Sequence, residues 1–201
     1  MDAPATDDPV LADLLRTVPV PVVESTGDVF HDLVSCLVEQ QIHYRSTKGT
    51  FQRVLERAGL HRVTPDTFDA MEAALDGVTL SRQKREALAG AAAAFRGDLP
   101  GWTAPDWPLA PEAEVRRALS ALRGVGPWTV DMIALYTLGY EDVFPVGDYH
   151  LKKGMARLYD LNEGAGLTRE MTSIAEGWRP HRSRAVLTLL AWKDWQAHLA
   201  R

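Results

Sequence analysis

Two short stretches of this sequence carry residue types that could perform chemistry. Leu122-Arg123-Gly124-Val125-Gly126-Pro127-Trp128-Thr129 combines two glycines with a proline, a composition typical of a tight turn between two helices. Val143-Phe144-Pro145-Val146-Gly147-Asp148-Tyr149 brings a single carboxylate back after about one helix length of chain. A backbone turn that can hold a phosphate, with a carboxylate delivered beside it, indicates chemistry on a nucleotide.

The first stretch predicts a hairpin with an exposed backbone. Gly124 and Gly126 bracket Val125, and we expect both glycines to take positive φ and to bring the backbone close to a ligand. Pro127 suits the first position of a helix, whose first amides and positive dipole end would point outward. A DNA phosphate is a natural occupant of such a site. The alternative, that glycine and proline serve the turn geometry alone, stays open on these residues.

The second stretch allows two roles for Asp148. It can cap the helix that begins at Tyr149, or it can act as a catalytic carboxylate, and the two roles are compatible because a cap also orients the side chain. Asp131 and Asp142 are the nearby alternatives. Asp131 falls inside a predicted helix and Asp142 precedes a strand-like Val-Phe pair, so we expect both to be structural.

Composition limits the class of protein. A chain of 201 residues with 46% hydrophobic content can bury the core of one domain or of two closely packed lobes. Its first residues are acidic rather than basic and apolar, and no apolar run approaches the roughly 20 residues of a membrane span. We therefore expect a cytoplasmic protein with no membrane partner. A monomer is the default, because no oligomerising seam is visible.

Cysteine and histidine usage argues against metal chemistry. Cys36 is the single cysteine, which excludes an internal disulfide, a four-thiolate zinc site and an iron–sulfur cluster. The six histidines show no close pair with metal-ligand spacing. We expect no required cofactor and no catalytic metal.

The charge is unevenly distributed. The chain has a net charge of −5, and residues 1–32 contain seven acids and one base. From Tyr149 onward, nine bases face five acids. A nearly neutral body with a basic C-terminal third can contact phosphates through a local patch, whereas the acidic flank is unexpected for a DNA-binding protein.

Helical spacing dominates the chain and predicts an all-α protein of roughly ten helices. Asp28 is a predicted N-cap, and Ser81 to Phe95 predicts a helix that ends at Gly97. Residues 98–111, with four prolines, are the clearest linker. The other predicted helices cover a short segment before Pro19 and about 29–41, 44–57, 65–75 (capped by Thr64), 111–122, 127–139, 149–158 and 168–176, with a buried last helix from Pro180.

Taken together, these motifs resemble a known family. L-x-G-V-G-x-W-T followed by D-V-F-P-x-x-D is similar to the helix-hairpin-helix (HhH-GPD) DNA glycosylases, and most similar to their 3-methyladenine DNA glycosylase II branch. Further matches are Val38-Glu39-Gln40-Gln41-Ile42, Leu80-Ser81-Arg82-Gln83-Lys84 and Trp178-Arg179-Pro180-x-Arg182-Ser183. The likeness covers the chain from about Val29 to Trp195.

The resemblance implies a fold and an activity. It implies an all-α unit with a lobe of about 1–35 plus 140–201 packed on a lobe of about 36–139, a hairpin at 122–128, and an active-site cleft between the lobes. The implied activity is hydrolysis of the N-glycosidic bond of alkylated purines in double-stranded DNA, within base excision repair. The alternatives are a noncatalytic module that binds damaged DNA and a glycosylase for deaminated or etheno bases.

The same resemblance assigns roles near the reaction. It places the essential carboxylate at Asp148. Relatives that also cut the strand use a lysine amine as a Schiff-base nucleophile, and its position is occupied here by Trp128. We therefore expect base removal without strand cleavage.

Other roles concern the base and the strand. Ile42, with Gln41, matches the wedge that fills the gap left by a flipped base, although a core isoleucine is the alternative. The aromatic or apolar pocket for a cationic base would involve Trp128, Tyr149, Trp192 and Leu190. The expected phosphate contacts are Gly124, Val125, Gly126, Thr129, Lys152 and Arg182. Carbonyls of Ser120, Leu122 and Val125 would hold Na⁺ or K⁺.

Overall fold

The computed structural model describes residues 6–19, 25–39 and 44–199, and within these residues it contains helices and no strand. The predicted all-α class is confirmed. The ten α-helices of the described chain, one of which continues into a π-helical segment, are α1 (Pro9–Thr17), α2 (Val29–Glu39), α3 (Tyr44–Ala58), α4 (Phe68–Ala73), α5 (Arg82–Arg96), α6 (Glu112–Ser120), α7 (Pro127–Met132, then π-helical over Ile133–Thr137), α8 (Tyr149–Leu158), α9 (Leu167–Glu176) and α10 (Arg182–Leu199).

Local capping signals set several of these boundaries where the sequence predicts them. The Asp28 carboxylate accepts the amide of His31 at 3.0 Å at the start of α2. Ser81 accepts the amide of Lys84 at the start of α5, and Gly97 ends that helix with φ +85. Both devices satisfy backbone groups that a helix end leaves without partners.

Two predicted helix starts are wrong. The helix predicted from residue 65 begins only at Phe68, because Thr64 and Thr67 exchange amide and hydroxyl hydrogen bonds that close a turn before it. The last helix begins at Arg182 rather than at Pro180. The amide of Ser183 there donates to the carbonyl of Glu141, a partner outside the helix.

The proline-rich tract 98–111 is a structured connection rather than a loose linker. The ring of Trp107 stacks on Phe95 of α5 at 5.6 Å with an interplanar angle of 12°. Trp102 also packs on Phe95, at 5.1 Å, and its indole N–H donates to the carbonyl of Ala118 at 2.8 Å. These aromatic contacts anchor the tract between α5 and α6.

The chain divides into two compact units, Met1–Glu24 with Gly139–Arg201 and Ser25–Leu138. The second unit is built around α2, whose Leu33, Val34, Leu37 and Val38 are fully buried. Because α2 packs on α3, α5 and the π-helical segment, all of α2 belongs to this unit. The lobe boundaries and the packing of the lobes implied by the family resemblance stay predictions.

In the first unit, α10 packs on α1 and α8, and α9 packs on α8. Its core includes Leu151, Met155, Met171 and Val186, all fully buried. As predicted, α10 is largely buried between Ala185 and Trp192. None of the described helices has both the length and the apolar character that a bilayer crossing requires.

Asp8 joins three parts of the first unit. One carboxylate oxygen caps α1 by accepting the amides of Val10 and Leu11 at 3.0 Å. The other accepts the Tyr159 hydroxyl at 2.8 Å and the Trp178 indole N–H at 2.9 Å. Burial, followed by the hydrogen bond to Asp8, raises the pKa of Tyr159. This carboxylate therefore ties α1 to the end of α8 and to the loop before α10.

His31, a half-buried histidine of the second unit, makes stability depend on pH. The Nδ1 atom of His31 accepts the amide of Val63 at 3.2 Å, and burial lowers the pKa of His31 below 6.5 despite the nearby Asp32 and Asp28 carboxylates. A protonated imidazole cannot accept that bond. The unfolded chain thus binds more protons than the native chain below about pH 6.5, so the free energy of unfolding should fall there as the pH is lowered. Above that pH, the contribution of His31 is fully present.

Urea unfolding of the wild-type protein and of a His31→Asn variant between about pH 5 and pH 8 tests this expectation. Asparagine retains an acceptor near the Nδ1 position but does not titrate, so the difference between the two curves should change below about pH 6.5 and stay flat above it. Parallel curves over the whole range would contradict the role given to His31.

Candidate active site

Asp148 is the buried N-cap of α8. It has φ −68 and ψ 130, its Oδ1 atom accepts the amide of Leu151 at 2.8 Å, and the residue is 8% exposed. The cap predicted from the sequence is therefore confirmed. A capped carboxylate has one fixed orientation, and the positive end of the helix dipole stabilises its charge.

Hydrogen bonds from the start of α10 fix the segment that leads to Asp148. The Ser183 hydroxyl accepts the amide of Val143 at 2.9 Å and donates to the carbonyl of Tyr140 at 2.5 Å. The Ser183 amide donates to the carbonyl of Glu141 at 3.0 Å. One buried serine thus holds three residues of a segment without regular secondary structure.

Arg182 holds Asp142, which lies between Glu141 and Val143 in the same segment. Its guanidinium meets both carboxylate oxygens of Asp142, at 2.7 and 2.9 Å, and donates to the Asp142 carbonyl at 2.7 Å. Partial burial opposes ionisation of Asp142, but the Arg182 hydrogen bonds outweigh it and lower its pKa. Asp142 is structural, as expected. The predicted phosphate contact of Arg182 stays a prediction, and its side chain, 14% exposed, has this internal role.

Two tight turns complete the approach to the carboxylate. The Val146 amide donates to the Phe144 carbonyl, and the Asp148 amide donates to the Pro145 carbonyl, both at 2.8 Å. The ring of Phe144 meets Trp178 edge-on at 5.9 Å. Since Trp178 also donates to Asp8, the segment is supported from α1 as well as from α10.

The predicted hairpin lies between α6 and α7 in the second unit. The Val125 amide donates to the Leu122 carbonyl at 3.1 Å, and Gly124 takes φ +82. The expectation of positive φ at Gly126 is wrong. This residue has φ −90 and ψ 172 and is the N-cap of α7, so an extended conformation suffices and Pro127 takes the first helical position as predicted.

Contacts with neighbouring helices fix the shape of the hairpin. A Cβ on Gly124 would lie 2.5 Å from the Cβ of Ala87 on α5, so the hairpin touches α5 directly. Arg116 of α6 meets Asp131 of α7 at 2.7 Å, with Glu112 at 2.7 Å on the other side of its guanidinium. Asp131 is therefore structural, as expected, and it joins the two helices that flank the hairpin.

The hairpin residues with predicted ligand roles differ in exposure. Val125 is 8% exposed and Thr129 is 1% exposed, so neither side chain is presented at the surface, whereas Gly124 is exposed. Among the carbonyls predicted to hold a monovalent cation, that of Leu122 accepts the Val125 amide. The described residues contain no group of three or more histidine, cysteine or carboxylate side chains arranged for a metal ion. The cation at Ser120, Leu122 and Val125 stays a prediction.

The predicted base-pocket residues have different surroundings. Trp128 is half-buried in the first turn of α7. Tyr149, directly after Asp148, is 62% exposed, and its ring lies edge-on to His150 at 5.3 Å. The Trp192 ring lies 5.3 Å from the guanidinium of Arg157. Trp192 lines a groove of about 470 Å³ with six residues of α1 and α8, namely Pro9, Val10, Asp13, Leu14, Thr17 and Leu158.

Helix geometry separates two of these residues. Leu190 is half-buried two positions before Trp192 on α10, a separation of about 200° around the helix axis. The two side chains therefore point to nearly opposite sides of α10. A single pocket can therefore contain only one of these two side chains. Trp192 is the one that faces α1, where it lines the groove.

The remaining predicted contacts lie at the surface or outside the described residues. Lys152 is half-buried, and the neighbouring Lys153 forms an ion pair with Glu163. The wedge residues Gln41 and Ile42 lie outside the residues that the structure describes.

The helical fold and the hairpin are consistent with a known superfamily of DNA repair proteins. Residues 34–180 match the HhH-GPD superfamily base excision DNA repair proteins, and the chain belongs to that superfamily. It is 32% identical over 85 residues to the alkylbase DNA glycosidase-like protein mag2 of Schizosaccharomyces pombe, which covers 42% of this chain and 37% of that protein. The chain thus spans little more than a third of that curated relative.

Solved structures with the same fold support the assignment. A DNA-3-methyladenine glycosidase from Bacillus halodurans has a TM-score of 0.68 and 26% identity, covering 91% of this chain and 83% of that one. The S. pombe 3-methyladenine DNA glycosylase Mag1, solved with abasic DNA, has a TM-score of 0.69 and 20% identity, covering 90% and 87%.

The two hairpin glycines form a matched pair for a stability test. Gly124→Ala places a Cβ against Ala87 at a left-handed φ, and we expect it to lower the free energy of unfolding by about 2–4 kcal/mol. Gly126→Ala places a Cβ where no atom lies within 4 Å, at a φ that alanine adopts, and should cost at most about 1 kcal/mol, because alanine is a poorer N-cap than glycine. Denaturant unfolding of both variants measures the difference. Equal losses would show that the contact with α5 does not set the hairpin.

Proposed function

We propose that this protein is a monofunctional DNA glycosylase that flips alkylated purines, of the 3-methyladenine and 7-methylguanine type, out of double-stranded DNA and hydrolyses their N-glycosidic bond. The protein would act as a monomer in base excision repair. The observation that carries the proposal is the buried, capped Asp148, at the position where the family has its essential carboxylate. The names of similar proteins, 3-methyladenine glycosidases among them, support the substrate class.

The reaction needs a negative charge beside the sugar. Cleavage of an N-glycosidic bond develops positive charge on the deoxyribose, as in other oxocarbenium-like cleavages. A carboxylate held in one orientation stabilises that charge without reorganising, and it can orient or deprotonate the attacking water. The loop held by Ser183 and Arg182 supports this role, because it leaves Asp148 little freedom to turn.

The leaving group explains why one carboxylate suffices. Alkylation at N3 or N7 makes the purine cationic, so it leaves without a strong general acid. Aromatic faces attract such a base more than a neutral one, by about 0.5–2 kcal/mol per contact. Tyr149 is the pocket residue that we propose in the unit that contains Asp148, and the pocket role of Trp128, which lies in the other unit, stays a prediction. Tyr149 follows Asp148 directly, and its exposed ring is available to a base.

Asp148→Asn tests the proposal most directly. Asparagine is as good an N-cap as aspartate, so the variant should retain the fold while losing the negative charge. We expect release of 3-methyladenine from methylated DNA to fall by about 10²–10⁴-fold. Asp160→Asn is the matched control, because Asp160 is exposed at φ +51, a conformation that asparagine tolerates.

Each outcome has a clear meaning. An equally active Asp148→Asn protein would reject the assigned chemistry. A wild-type protein that binds abasic DNA but releases no base would instead be a damage-binding module. A panel of duplexes, each with one alkylated, deaminated or etheno base, separates the proposed substrate range from the alternatives.

The protein should remove the base without cutting the DNA strand. The sequence has no lysine between Lys84 and Lys152, and the nucleophile position of strand-cleaving relatives is occupied by Trp128. Borohydride should therefore trap no covalent adduct with DNA from which a base has been removed, because the lysine that forms the Schiff base in strand-cleaving relatives is replaced here by Trp128. Efficient trapping, on the scale of a strand-cleaving glycosylase run in parallel, would contradict monofunctional hydrolysis.

A further inference from the structure

A basic cluster spans the start of α5 and the neighbouring hairpin. Arg82 and Arg85 lie in the first turn of α5, and Arg123 lies in the hairpin itself. The side chain of Arg82 is 90% exposed and that of Arg123 is 76% exposed. Cationic side chains beside a backbone turn that can hold a phosphate extend its positive field.

The contact between the hairpin and α5 fixes this arrangement. Gly124 lies against Ala87, so its neighbour Arg123 is brought next to Glu86 on the same helix. Arg82 lies one helical turn before Glu86 and therefore on the same face of α5. The tertiary contact thus adds Arg123 to arginines that already lie close together on α5.

One carboxylate holds both guanidiniums. Glu86 meets Arg123 at 3.0 Å and Arg82 at 3.5 Å. A single negative charge cannot neutralise two positive ones, so the cluster keeps a net positive charge even before Arg85 is counted. Exposed ion pairs of this kind contribute little and exchange readily. A second anion can therefore replace Glu86 at either arginine.

We propose that Arg123 and Arg82 bind the DNA phosphate backbone next to the strand held by the hairpin, with Glu86 as an internal placeholder for the phosphate. The inference rests on the proposed function, since it takes DNA as the ligand. A guanidinium pairs with a phosphate through two parallel hydrogen bonds, and each contact releases a counterion from DNA. Glu86 keeps the two arginines oriented until a phosphate takes its place.

The salt dependence of DNA binding tests the proposal. The probe is a duplex that contains a stable abasic-site analogue, so no turnover occurs, and binding is followed by fluorescence anisotropy over about 50–200 mM salt. Arg123→Ala should reduce the slope of log K against log[salt] by about 1. Over this range its affinity should fall about threefold less than that of the wild-type protein. Arg82→Ala should act in the same direction.

Three further variants make the result specific. Arg123→Lys keeps the charge and should retain the wild-type slope. Glu86→Gln removes the competing anion and should tighten binding. Arg16→Ala is the matched control, because Arg16 has a comparable exposure of 74% and also forms an ion pair, with Asp13. Its slope should equal that of the wild-type protein.

The outcomes separate this proposal from the proposed function. A wild-type slope for Arg123→Ala, or an equal reduction in Arg16→Ala, would overturn the phosphate contact even if the protein excises bases. A slower single-turnover release at saturating Arg123→Ala would also overturn it, since a binding residue leaves that rate unchanged. Absence of base release from the wild-type protein would overturn the proposed function, while the abasic duplex still tests the cluster.

Discussion

The amide of Leu151 holds one oxygen of Asp148 at the start of α8, and the rest of the candidate site depends on this bond. A buried carboxylate needs such partners, because removing an ionised group from water is costly. The segment before it has no regular secondary structure, and its shape comes from Ser183 and Arg182 at the start of α10. A helix far away in sequence thus sets the position of the residue on which the proposed chemistry depends.

Four of the seven acids in residues 1–32 form hydrogen bonds or ion pairs within the protein. Asp8 caps α1 and accepts two side-chain donors, and Asp28 caps α2. Asp32 accepts the hydroxyls of Thr26 and Thr137, and Asp13 pairs with Arg16. Asp28 also pairs with Arg62, outside this segment, and this positive charge offsets part of the negative total of residues 1–32. Hydrogen bonds from neutral donors leave the negative charges of Asp8 and Asp32 in place.

Capping residues in the sequence predicted the helix ends that are determined by local interactions. The start of α2 follows from Asp28 and both ends of α5 follow from Ser81 and Gly97. The Asp148 cap follows from its place before a helical segment. The start of α10 did not follow, because the Ser183 amide bonds to a carbonyl 42 positions earlier in the chain. Two glycines in a turn likewise do not reveal which one is left-handed. The contact with α5 decides that, and it is visible only in three dimensions.

The contact between Gly124 and Ala87 joins two positions that are 37 residues apart into one steric unit. Neither can gain volume alone: a methyl group at the first would strike the second, and a larger side chain at the second would strike the hairpin backbone. Across descendants of this chain, the two positions should therefore change together or stay small together. The solvent-facing residues of the turn can vary in sequence. The residues in contact with α5 can change little, because they are closely packed.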